Sequence, residues 1–266
     1  MKPILEEIYG VYNRPRYIIP DPLQFVGPVP GPEREIVGLI ASSLALGRVG
    51  CIVTTVSSLL ERLPNPREYL LGARESDIRK LFAGFVYRFF RSEHIAAFLT
   101  GIGTLLKEYG TLENCYAAGC GSTGGSGEDC LGGASHFARE LYRASGGKGG
   151  MLISDPGKKS ACKRLFLYLR WMIRCDAVDP GPWRQDPSRL IVPVDTHMLR
   201  LGRILGFTDR RQADLTTAQE ITEGFRKIAP EDPVRYDFSL TRLGIYPHDK
   251  IRADYFERRL REARIP

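Results

Sequence analysis

The sequence predicts an all-α protein. Apolar residues recur at helical spacing along most of the chain, no segment alternates as a strand does, and proline- or glycine-rich breaks separate the periodic stretches. At 266 residues the chain suits one large domain or two closely packed ones. Hydrophobic residues make up 43% and charged residues 26%, which excludes the disordered and fibrous classes. The longest apolar runs, such as Ile36 to Leu46, are too short to span a bilayer. Met1-Lys2-Pro3-Ile4-Leu5 does not open a signal-peptide core. A cytoplasmic protein with no membrane partner is therefore expected.

Taken in order, residues 1–12 read as a short helix, and Asn13 to Pro32 as a proline-punctuated loop. Glu33 to Leu46 is an apolar helix with a proline just before it, and Gly50 to Leu63 is another, ended by Pro64 and Pro66. Helices are expected at Glu75 to Tyr87, Glu93 to Tyr109 and Leu112 to Ala118. Gly119 to Gly133 reads as a glycine- and serine-rich loop. A helix from Ser135 to Ser145 follows, then a break at Gly146 to Gly150.

Ser160 to Arg174 has a strong apolar face of Ala161, Leu165, Leu169 and Met172, with Lys163, Arg170 and Arg174 together on another face. After a loop to Pro193, Asp195 opens a helix through Leu205. Thr217-Ala218-Gln219-Glu220 has the spacing of a capping box and starts the next helix. Tyr236 to Leu243 and Ile251 to Arg264 are the last two helices.

The net charge of +7 favours polyanionic partners, because phosphate contacts release counterions. Of the six cysteines, Cys51, Cys162 and Cys175 sit in apolar or helical settings and read as buried thiols. Cys115, Cys120 and Cys130 have neither zinc-pair nor ferredoxin spacing, so no metal site is expected.

Two segments carry chemistry. In Val192-Pro193-Val194-Asp195-Thr196-His197 an extended apolar approach ends at an acid that begins a helix. Asp is a preferred N-cap, and its charge suits the positive helix end. In Asp155-Pro156-Gly157-Lys158-Lys159-Ser160-Ala161-Cys162-Lys163-Arg164, a glycine turn leads into a helix N-terminus, a phosphate-friendly geometry that Lys158 and Lys159 reinforce.

The first segment, with Met198 to Gly206 after it, resembles the matching stretch of the helix-hairpin-helix DNA glycosylases such as endonuclease III and the 8-oxoguanine glycosylases. The chain is similar to a divergent prokaryotic branch of that superfamily, nearest the archaeal 8-oxoguanine glycosylases. The resemblance implies a two-subdomain helical fold with the site in the cleft between subdomains. One subdomain would span 34–194, with the hairpin near 152–165, and the other 1–33 plus 195–266.

It also implies base-excision repair: a DNA glycosylase that removes a damaged base, an oxidised purine such as 8-oxoguanine among the candidates, with abasic-site lyase activity through a lysine Schiff base. The partner would be double-stranded DNA carrying a damaged base or abasic site, bound by a nucleoid-associated monomer. Asp195 would face the site as well as cap its helix. Lys159 precedes Ser160-Ala161 as the nucleophile does in endonuclease III. Lys163, followed by Arg164-Leu165-Phe166, is similar to the nucleophile of the archaeal enzymes and is the favoured choice. Its neighbours Lys159, Arg164 and Arg170 crowd it with like charge, which disfavours one more ammonium.

Gly157, Lys158, Lys159, Ser160 and Arg170 are then the expected DNA contacts. Trp171, Trp183 and His197 are the candidate base-pocket residues. Core packing competes for Trp171, loop anchoring for Trp183, and a structural role for His197. The usual hairpin consensus and the DNA-contacting glutamine of the family are absent. No cysteine follows Asp195, so no iron–sulfur cluster or other cofactor is expected, apart from a monovalent cation that the hairpin backbone holds in this superfamily. The competing reading is a non-catalytic DNA-binding protein on the same scaffold.

Overall fold

The computed structural model describes residues 1–121, 128–245 and 250–263. Among these residues the regular structure is thirteen α-helices, five one-turn 3-10 segments and one short hairpin, so the chain is all-α in class. Two compact units divide it: Met1–Ile19 with Lys159–Pro266, and Pro20–Lys158.

The Pro20–Lys158 unit contains α2 (Gly31–Ser43), α3 (Val49–Glu61), α4 (Pro66–Gly72), α5 (Glu75–Leu81), β1 (Val86–Tyr87), β2 (Phe90–Arg91), α6 (Ser92–Tyr109), α7 (Leu112–Ala118) and α8 (Glu128–Ala144). Helix α6 is its centre, packed by α4, α5, α7 and α8. Ile95, Phe98, Leu99, Ile102, Leu105 and Leu106 are all buried along it. Gly103 lets α4 approach closely, since a Cβ there would lie 2.4 Å from the Leu70 carbonyl oxygen. Buried Glu35 of α2 accepts from the Leu112 and Glu113 amides at 3.0 and 3.3 Å, an anion at the positive end of α7.

Several boundaries in this unit depart from expectation. Helix α3 stops at Glu61, and Pro66, expected to end a helix, begins one, because its fixed φ suits a first helical turn. Helix α5 stops at Leu81, and Gly84 at φ +75° turns the chain into the hairpin, where Val86 faces Arg91 and Tyr87 faces Phe90. In the stretch expected as a loop from Gly119 to Gly133, residues 122–127 lie outside the described residues, and helix α8 already runs from Glu128.

The other unit holds α1 (Lys2–Tyr12), α9 (Lys163–Ile173), α10 (Thr196–Leu205), α11 (Leu215–Arg226), α12 (Asp237–Ile245) and α13 (Lys250–Glu262). Helix α12 packs against α1, α10 and α13. Helix α11 is capped by Asp214, whose carboxylate accepts from the Thr217 amide at 2.9 Å. Thr217, expected as the cap, is instead buried inside the helix.

The division differs from the expected 34–194 against 1–33 plus 195–266. Arg170 of α9 and Arg174 at its C-terminal cap pair with Asp237 and Asp232, which binds α9 and the loop after it to the C-terminal part of the chain. Among the described residues no helix is long and apolar enough to cross a membrane.

Candidate functional site

The residues before α9 set the direction of its first side chain. Lys159 at φ 60° and Cys162 at φ 45° are non-glycine residues in left-handed backbone. Each costs of order 1–2 kcal/mol, and such strain concentrates at functional sites. The left-handed Cys162 is the N-cap, so α9 begins at Lys163 rather than at the expected Ser160. Lys163 thus stands at the positive end of a helix, where an ammonium is electrostatically misplaced.

Asp195 supplies the compensation. Its Oδ1 accepts from the His197 and Met198 amides, both at 2.9 Å, and so caps α10. Its Oδ2 lies 3.0 Å from the Lys163 Nζ. One carboxylate therefore divides two tasks between its two oxygens. Burial alone would push the Asp195 carboxyl up. The Lys163 charge, the Met198 and His197 amides and the Lys163 hydrogen bond together hold it below the usual range, so it is ionised at neutral pH. The side chains of Lys163 and Asp195 stay 37% and 30% exposed, open enough for a substrate to reach.

The remaining expected site residues fall into two groups. Gly157, Lys158, Lys159 and Ser160 are four consecutive exposed residues, placed where a polyanion can reach them. Yet the Gly157 amide donates to Asp155 Oδ1 at 2.8 Å, and the Lys158 amide to the Asp155 carbonyl at 3.0 Å. The Gly157 and Lys158 amides are thus taken up by the turn's own aspartate rather than pointing at a phosphate. Lys158 has its Nζ 5.5 Å from the centre of the Tyr142 ring. The Lys159 carbonyl accepts from the Leu215 amide at 3.2 Å.

Arg170 is not a DNA contact. It is 3% exposed, and its Nε and Nη2 donate to Asp179 Oδ1 at 3.2 and 3.0 Å while Nη1 holds Asp237. The helical spacing that groups Lys163, Arg170 and Arg174 is real, but the face meets the protein's own carboxylates. Arg174 holds Asp179, Asp176 at 2.9 Å and Asp232 at 2.9 Å.

Trp171 is fully buried, so its indole is core and cannot stack on an extruded base. Trp183 is 5% exposed, lies edge-on to Tyr168 with centroids 5.3 Å apart, and donates its amide to the Met172 carbonyl at 2.8 Å. It anchors the loop after α9. His197 is half-buried, and among the described residues no hydrogen-bond partner meets its buried Nε2. Burial pushes the imidazole down, further than the Asp195 charge pushes it up, so His197 is neutral at physiological pH. Of the cysteines read as buried, Cys162 is buried whereas Cys51 and Cys175 are exposed. Among the described residues no group of three or more His, Cys, Asp or Glu is placed to hold a metal.

Sequence reasoning missed the aspartates opposite α9, because no local pattern marks them. Asp176 is the most perturbed of them in one direction. Burial would raise its carboxyl, but Arg174, the Asp179 and Val178 amides and Tyr9 bring it down to about 2. It therefore stabilises the folded chain fully above its ordinary value of 3.8, and that contribution is lost as pH falls from there through about 2. Asp176→Asn is expected to cost about 2 kcal/mol at neutral pH and to flatten the acid limb of a denaturation series over that window. An unchanged acid limb would contradict this assignment.

A second missed feature lies in the Pro20–Lys158 unit. The hairpin turn Arg88-Phe89 leaves Phe89 66% and Val86 58% exposed, and the Arg88 guanidinium lies 5.8 Å from the Phe89 ring centre. Beside it is a hollow of about 810 Å³ lined by Arg48, Cys51, Thr54 and Arg88, with no carboxylate among its lining residues.

No curated protein and no solved structure matches the chain. A model of a protein family of unknown function, DUF2400, matches residues 21–246, a span that includes the hairpin turn, Lys163 and Asp195. The chain belongs to the DUF2400 family.

Proposed function

We propose that this protein is a DNA glycosylase with abasic-site lyase activity. The observation that carries the reading is the partly exposed contact of Lys163 Nζ with Asp195 Oδ2 at 3.0 Å. The ionised carboxylate is placed to accept the proton that the Lys163 ammonium must lose before its nitrogen adds to a sugar carbon.

In the proposed reaction Asp195 Oδ2 accepts the Lys163 proton as the amine adds to C1′ of the deoxyribose. The N-glycosidic bond breaks, its electron pair leaves with the base, and the base takes up a proton. The nitrogen then gives up one of its two remaining protons, the C1′–O4′ bond breaks with O4′ taking up a proton, and the protonated imine results. Removal of a C2′ proton then expels the 3′ phosphate, and water hydrolyses the imine. The Asp195 charge also stabilises positive charge that develops on the sugar.

Duplex DNA is the expected partner. The net charge of +7, the exposed run from Gly157 to Ser160 and the aromatic–cationic hairpin turn support it. The damaged base would be extruded from the stack before reaction. The test is a panel of end-labelled duplexes carrying 8-oxoguanine, uracil, thymine glycol or an abasic site. Strand cleavage without added base on at least one duplex is expected, and Lys163→Gln abolishes it. Cleavage of none overturns the proposal.

One observation favours a second reading, a non-catalytic DNA-binding protein. The Gly157 amide is already satisfied by Asp155, so the turn differs from the phosphate-meeting turn of the helix-hairpin-helix glycosylases. Salt-sensitive duplex binding with no turnover on the panel would select that reading.

A further inference from the structure

We infer that the buried arginine–aspartate cluster on α9 positions Lys163 against Asp195, with Arg170 and Asp237 as the positioning residues. The inference rests on the proposed role of that pair, but its first test does not depend on activity.

Lys163 and Arg170 lie seven residues apart, so one face of α9 carries both, and Arg174 follows at the C-terminal cap of the helix. Lys163 meets Asp195 at the N-terminus of that face. Two turns on, Arg170 grips Asp179 with two nitrogens and Asp237 with a third. Asp237 is the first residue of α12, and α12 packs against α10, the helix that Asp195 caps. The contacts form a closed circuit: Lys163, α9, Arg170, Asp237, α12, α10, Asp195, and back to Lys163. A shift of α9 along or about its axis breaks one of the two polar links.

Stability alone does not account for such a cluster. Arg170, Arg174, Asp179 and Asp237 are each 3% exposed or less. Apolar residues of similar volume in such places are often as stabilising or more so. What apolar packing does not supply is a fixed register. A planar guanidinium that bonds two carboxylates allows one rotation and one depth, whereas leucines slide. A reacting amine needs placement to within a fraction of an ångström, and a 1 Å error costs on the order of 100-fold in rate. The two carboxyls also sense one another. Burial pushes the Asp237 carboxyl up, and the Asp195 charge adds to that push despite the opposing Arg170.

The test reads the Lys163 amine directly. Reductive methylation of the full-length protein is followed residue by residue by mass spectrometry. Wild type is compared with Asp195→Asn, Asp237→Asn and Arg170→Lys, and exposed Lys107 and Lys158 serve as internal references. In wild type the ion pair slows Lys163 labelling. Asp237→Asn and Arg170→Lys are expected to raise it several-fold, toward the Asp195→Asn level, with both references unchanged. Lys163 labelled at the wild-type rate in both variants overturns the inference, whether or not the wild type cleaves DNA.

The triple variant Arg170→Met/Asp179→Leu/Asp237→Leu separates positioning from stability. The expected result is a melting temperature near wild type with Lys163 labelling still raised. Recovery of both together shows the cluster to be structural only and overturns the inference. Where the triple variant does not fold, Asp237→Asn alone decides.

Discussion

Asp195→Asn is expected to slow strand cleavage about 10²- to 10³-fold while leaving the fold nearly as stable as wild type. The two oxygens of Asp195 do different things, and asparagine separates them. Its amide oxygen still accepts from the His197 and Met198 amides, since Asn and Asp cap helices about equally well. Its amide nitrogen replaces Oδ2 and faces the Lys163 ammonium, donor against donor, with no charge to receive the proton. Asp195→Ala removes both roles, so it should match Asp195→Asn in rate but lose about 1 kcal/mol more stability. Rates from single-turnover cleavage and stabilities from urea titration check the pair. An Asp195→Asn protein with the wild-type rate would reduce Asp195 to a cap.

Asp179→Ala is expected to produce the largest loss of stability, about 3–5 kcal/mol. Asp179 is fully buried and serves two arginines, Arg170 through Oδ1 and Arg174 through Oδ2. Its removal leaves both guanidiniums short of an acceptor in a place that water does not reach. Arg170 retains Asp237, and Arg174 retains Asp176 and Asp232, so the loss is large without releasing a bare charge. Methylene burial contributes little to the difference, because Asp179→Ala removes almost no apolar surface. A shift in the urea midpoint equivalent to under 1 kcal/mol would show that the remaining carboxylates neutralise both arginines unaided.

The site was half legible in the sequence, and the halves divide along a physical line. Asp195 as cap could be read because capping is local: an extended Pro-Val approach, an aspartate, then an apolar helix. The common face of Lys163, Arg170 and Arg174 could be read because helical spacing is local too. What that face meets could not. Asp232 and Asp237 come from more than fifty residues away in sequence, and nothing near Arg170 announces them. A cationic stripe on a helix looks the same whether DNA phosphates or the chain's own carboxylates lie opposite.

Local strain hid the rest. The start of α9 depends on left-handed Lys159 and Cys162, residue types that give no hint of that conformation. The hairpin at Val86 to Arg91 has two-residue strands, too short to show alternation. At α11 two candidate caps lie three residues apart: Asp214 accepts from the Thr217 amide at 2.9 Å, while the Thr217 hydroxyl donates to the Gln212 carbonyl at 2.7 Å from inside the helix. The apolar helices α2, α3 and α6, by contrast, lie close to where periodicity puts them, since burial of a continuous face decides them.

Borohydride trapping on an abasic-site duplex, followed by peptide mapping of the adduct, reads the chemistry of Lys163 directly. A covalent protein–DNA species is expected in which Lys163 alone carries the reduced sugar, and which Lys163→Gln does not form. An adduct mapped to Lys159, or one that survives Lys163→Gln, would contradict it.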